Sequence, residues 1–121
     1  MPFNDPELYL EHILESIAHV GEFTVGMDFA AYQSDLKTKS ATERQIQILS
    51  EAASRLGDQA QVLAPEVDWR SIRGMGNRLR HGYDFINDEK VWSTIQFDLP
   101  PLQDAVTAAL LRMQSQGTRE S

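Results

Sequence analysis

Between Trp69 and Tyr83 the chain places four arginines (Arg70, Arg73, Arg78, Arg80) and one histidine (His81), with no acid among them. The formal net charge of the whole is −7, and Met1 to Asp28 carries six acidic residues and no lysine or arginine. An arginine cluster in such a chain needs an anionic partner, or an acidic face in the same fold or in a second copy. At about 100° per residue, Arg70, Arg73, Asn77, Arg78, His81 and Asp84 fall on one side of a helix, opposite Ile72, Met75, Leu79, Gly82 and Ile86. Asn77 stands at i−4 and Arg78 at i−3 from His81. An imidazole titrating near neutrality can take or give a proton. Guanidinium groups can grip a phosphate through two parallel hydrogen bonds and stabilise its developing charge. This combination suits phosphodiester chemistry without a metal; a merely solvated or interface face is the plainer reading of the same spacing.

Other chemistries find less support. The chain has no cysteine, so it offers no thiolate, no disulfide and no Cys-based metal site. His81 lacks a His or Glu at i±4, and one histidine with one aspartate makes a poor metal site. No serine sits at an expected strand-to-helix elbow, so a nucleophilic triad is unsupported. No apolar run approaches the roughly 18 residues of a membrane span, and the acidic first twenty residues do not read as a secretory signal. A cytoplasmic domain with no membrane partner and no cofactor is expected. His12 and His19 read as surface residues, and Trp69 and Trp92 as packing residues.

The 121 residues suit a single domain, and 41% hydrophobic content suits one buried core. Leu10, Ile13, Leu14, Ile17 and Val20 form the stripe of a first helix, with Asp5 as N-cap, Pro6 at its first position and Gly21 as its end. A short second helix is expected around Phe29 to Lys37. Ser40-Ala41-Thr42-Glu43 has capping-box spacing, so a third helix is expected to start there and carry Ile46, Leu49, Ala53 and Leu56 towards Gly57. Asp68 caps a fourth running from Trp69 to about Ile86. Val91, Trp92 and Ile95 form another short helix, and Pro100-Pro101 opens a last one. The reading is an all-α, up-and-down bundle of about five helices over residues 1–113, with a frayed polar tail over 114–121. Gly74, Gly76 and Gly82, three helix-weakening residues in the fourth helix, point to close approach of another backbone or a bound group.

The segment Trp69-Arg70-Ser71-Ile72-Arg73-Gly74-Met75-Gly76-Asn77-Arg78-Leu79-Arg80-His81-Gly82-Tyr83-Asp84 resembles the central motif of the HepT-like family in the HEPN superfamily. That motif has a Trp-Arg start, then Gly-Met-Arg-Asn, then a His-Gly-Tyr or His-x-Tyr step. The resemblance spans most of the chain. Glu51-Ala52-Ala53 is similar to the family's Gly-Glu-Ala segment with Ser50 in the glycine's place. Pro65 precedes the Trp-Arg start, and Val91-Trp92 with Asp98-Leu99-Pro100 matches the closing segment.

The resemblance implies a HEPN-like, homodimeric ribonuclease toxin encoded beside a nucleotidyltransferase antitoxin. Cleavage of the RNA substrate would proceed without metal, by attack of the 2′-hydroxyl on the adjacent phosphate. His81 would be the general acid or base, Asn77 the polar positioning residue, and Tyr83 the site where the partner attaches AMP. The family's Arg-x4-His-x-Tyr pattern is broken here, because Gly76 stands where its arginine would be. Arg78, Arg73 or Arg80 would then supply the phosphate clamp. Otherwise the chain is a catalytically weakened binding module that partners a nucleotidyltransferase.

Overall fold

A computed structural model describes residues 5–81 and 87–120, apart from the side chains of 80, 81 and 117–120. The elements are α1 (Pro6–Thr24), α2 (Phe29–Ser34), α3 (Leu36–Leu56), α4 (Gln59–Leu63), α5 (Trp69–His81), α6 (Asp88–Ser93), a π-helical turn (Thr94–Asp98) and α7 (Leu99–Glu120). No strand occurs among the described residues, and the fold is an all-α bundle. The single-turn α4, following directly on Gly57, is the element that periodicity does not announce. None of the described helices is long and apolar enough to cross a membrane.

Local chemistry sets the starts of the helices. Asp5 accepts the Leu8 amide and Pro6 opens α1, as expected. Asp28 caps α2 through the Ala31 amide, and Asp68 caps α5 through the Ser71 amide. Two boundaries differ from the sequence reading. Helix α3 begins at Leu36, where the Asp35 carboxylate accepts the Thr38 amide at 3.0 Å, so the capping-box sequence at Ser40 lies inside the helix. Helix α1 passes through Gly21 to Thr24 because both Val20 and Thr24 are buried, and the Thr24 hydroxyl donates to the Val20 carbonyl. Residues 114–120, expected as a polar tail, have helical backbone as the last turns of α7.

Helix α3 occupies the centre, with α1 packed along one side and α5 along another, while α7 closes on α1. Leu10, Ile13, Val20, Ile46, Leu49, Leu56, Leu102 and Val106 make the core between them. The connector into α5 is pinned twice. The Trp69 indole N–H donates to the Ala64 carbonyl at 2.9 Å, and Arg112 of α7 donates to the Leu63 carbonyl at 2.6 Å. Trp92 is half-buried against Tyr32, with ring centroids 5.3 Å apart, so both tryptophans are packing residues.

A polar cluster lies where α2, α3 and α6 meet. Lys39 pairs with Asp88 at 3.2 Å, and Glu43 is half-buried beside them. Burial, and then the nearby Asp88 carboxylate, push the Glu43 carboxyl above the usual range, while Lys39 opposes them. Burial also holds the Tyr32 phenol neutral well above its ordinary range, with Glu43 and Asp88 adding to the effect. A raised carboxyl favours its neutral form in the folded state. Its favourable contribution is complete below the unfolded value of 4.5 and is lost as pH rises through the folded value. Glu43→Gln should therefore raise thermal stability at pH 7, with the advantage shrinking as pH falls towards 4.5. Melting curves across that range check it.

Candidate functional site on the fifth helix

Helix α5 is strongly amphipathic. Trp69, Ile72, Met75, Gly76 and Leu79 are buried, whereas Arg70, Ser71, Asn77 and Arg78 are exposed. Its rotation is fixed by contact with α3. The Ser50 hydroxyl, fully buried, donates to the Arg73 carbonyl at 2.9 Å and accepts the Gly76 amide at 3.1 Å. One side chain of α3 thus engages a donor and an acceptor on the α5 backbone, and the buried Gly76 lies on that seam.

Arg73 belongs to the same seam. Its Nε donates to the Ala53 carbonyl at 3.2 Å and an Nη to the Gly57 carbonyl at 2.7 Å. These lie in the last turn of α3 and at its cap, where Gly57 adopts φ +58 and helix carbonyls lack intrahelical partners. Arg73 therefore clasps the negative end of α3, which sets it apart from the free phosphate clamp that its charge suggested.

Arg78 lies differently. It is exposed, and its Nη1 sits 3.4 Å from where a Cβ on Gly74 would be, so the guanidinium folds back one turn over that glycine. Arg70, Ser71, Arg73, Gly74, Asn77 and Arg78 line an open groove of about 570 Å3, with Asp68 at its edge. Among the described residues neither Arg70 nor Arg78 forms an ion pair. His81 closes α5 one turn after Asn77. The side chains of His81 and Arg80, and the whole of Tyr83, lie outside the described residues, as does the expected extension of the helix to Ile86. No three His, Asp or Glu side chains among the described residues are grouped as a metal ion would need.

Sequence reasoning thus placed Asn77 and Arg78 on the exposed face correctly. It missed Ser50, whose role needs the α3–α5 pairing. The available signal was a small hydroxyl residue on the apolar face of one helix and a glycine on the apolar face of another.

The sequence profile of the family described as "Ribonuclease HepT-like" matches residues 13–109. The chain belongs to this family. It is 34% identical over 95 residues to the "Probable ribonuclease HepT" of Thermococcus cleftensis, covering 78% of this chain and 86% of that protein. It is 31% identical over 105 residues to a "Putative RNase" of Caldanaerobacter subterraneus, covering 87% of this chain and 94% of the relative. A protein of Methanocaldococcus jannaschii with the same style of name is 30% identical over 100 residues, 83% of each chain. No solved structure matches the chain.

Two outcomes follow from the seam. Arg73→Ala should cost about 1–3 kcal/mol by leaving the terminal carbonyls of α3 without their charged donor. Gly76→Arg, which would write the family arginine back, should cost about 1–3 kcal/mol or more through overpacking against α3. Denaturant titrations measure both.

Proposed function

We propose that the chain is a metal-independent endoribonuclease of the HEPN type and the toxin of a toxin–antitoxin pair, held off by a nucleotidyltransferase. The observation that carries this reading is the exposed arginine and asparagine face of α5, one turn before His81, in a HepT-like chain. In the reaction, the ribose 2′-oxygen bonds to the adjacent phosphorus and the bond from phosphorus to the 5′-oxygen breaks. One proton leaves the 2′-hydroxyl and another reaches the departing 5′-oxygen, leaving a 2′,3′-cyclic phosphate. His81 handles a proton, Asn77 positions the phosphate, and Arg78 supplies positive charge, with Arg80 next in line. Arg73 supports the site from its clasp on α3. A homodimer would bring two such faces to one cleft, because positions 76 and 81 point about 140° apart on one helix.

Inhibition would act through Tyr83. Its phenolic oxygen would bond to the α-phosphorus of ATP and release diphosphate, adding the negative charge of a nucleotide phosphate two residues after His81 in the sequence. Intact-mass measurement after co-expression with the nucleotidyltransferase should show one adenylyl addition on the wild type and none on Tyr83→Phe.

One observation favours a second reading. Gly76 is buried with its amide on Ser50, so the family's arginine position carries no side chain. A binding module presenting its arginine face to a nucleotidyltransferase would need no more. The two readings separate on purified protein and RNA. The ribonuclease reading expects cleavage that survives EDTA, leaves 2′,3′-cyclic ends and falls about 10²–10⁴-fold in His81→Ala. Equal inactivity of wild type and mutant would establish the binding module instead.

A further inference from the structure

Arg70, Gly74, Asn77 and the backbone position of His81 follow one another along α5 at i, i+4, i+7 and i+11. At about 100° per residue they lie within about 60° of one line. Gly74 is the only one without a side chain, so the line dips there. Arg70 stands one turn before the dip and Arg78 one turn after it, each about 6 Å away along the axis. The Arg78 guanidinium already reaches back over Gly74. Both arginines are exposed and without an ion pair among the described residues. Arg73, by contrast, is held by α3. Asp68 is the one acid in the described lining, and its carboxylate already accepts the Ser71 amide. In a chain of net charge −7, this is a local concentration of positive charge that no acid among the described residues pairs.

We infer that the dip over Gly74 seats a backbone phosphate of the RNA strand within a nucleotide or two of the one that is cut, clasped by Arg70 and Arg78. The inference deepens the ribonuclease reading and rests on it. Seven residues separate Gly74 from His81, about 10 Å along the helix. Successive phosphates of one strand lie closer together than this, so a strand laid on this line presents one phosphate to the dip and another, a nucleotide or two further on, to the histidine end. Arg70, the arginine of the Trp-Arg start, is then a binding residue outside the Arg-x4-His-x-Tyr pattern. Gly74 is bare where the Arg78 guanidinium, with the phosphate it holds, lies close against the helix.

The probe is a single-stranded oligoribonucleotide with every 2′-hydroxyl methylated, which the protein can bind and cannot cleave. Its affinity is measured over a range of salt, and cleavage of the unmodified strand is measured in parallel. Arg70→Ala should weaken binding about tenfold and lower the slope of log affinity against log salt by about 0.7. Gly74→Ala adds a methyl group at ordinary contact distance from Arg78, so the protein should melt no lower than wild type while binding weakens at least several-fold. Arg44→Ala, on the exposed side of α3, should change neither affinity nor slope. If wild type cleaves RNA while Arg70→Ala and Gly74→Ala bind with wild-type affinity and slope, the phosphate seat is overturned and the ribonuclease reading stands. If wild type never cleaves yet the two variants still lose binding, the seat stands as a strand-binding site and the ribonuclease reading falls.

Discussion

The site depends on how α5 is rotated against α3, and one buried hydroxyl sets that rotation. Ser50 touches the α5 backbone twice, at the Arg73 carbonyl and at the Gly76 amide. A hydroxyl so buried must satisfy both its donor and its acceptor capacity or lose stability. It does so with the backbone of Gly76 turned towards α3. Once Gly76 faces inward, the period of the helix turns Arg70, Asn77 and Arg78 outward. The arginine clasp reinforces this geometry, since Arg73 at the edge of the seam ties the same helix to the last carbonyls of α3. Packing, rather than the charges themselves, decides which arginines remain available to a ligand.

This separates charges that composition treats as one cluster. Four arginines within fifteen residues look like a single basic patch. In the fold, Arg73 is part of the scaffold, while Arg70 and Arg78 share an open groove. The distinction carries energetic weight. A guanidinium already bonded to two carbonyls must give up those bonds before it can serve a phosphate, whereas an exposed unpaired one sheds only water and counterions. The departure from the family pattern at Gly76 falls on the same seam, where the glycine is buried with its amide on Ser50.

Much of the fold was legible in the sequence, since helical periodicity is strong and the caps at Asp5 and Asp68 have clear chemistry. The boundaries that differ arose where two local signals competed. Asp35 and Ser40 both offer a helix start; the aspartate caps through the Thr38 amide, and Lys39 in the added turn pairs with Asp88. Gly21 offers an end to α1 that burial of Val20 and Thr24 overrides. In the site, the exposed positions of Asn77 and Arg78 follow from the wheel alone. The fates of Arg73 and Ser50 do not, because each depends on a partner about twenty residues away on another helix. Local spacing carries no information about such pairings.

The proposed strand site lies on the face of α5 that this packing turns outward. Amide chemical-shift mapping of the isotope-labelled protein, titrated with the methylated strand, tests it most directly. The large shifts should fall on Arg70, Gly74, Asn77 and Arg78 and fade towards Tyr9, His12 and Arg55, which line a separate groove between α1 and α3. Shifts concentrated on that second groove, with the α5 face unmoved, would contradict it.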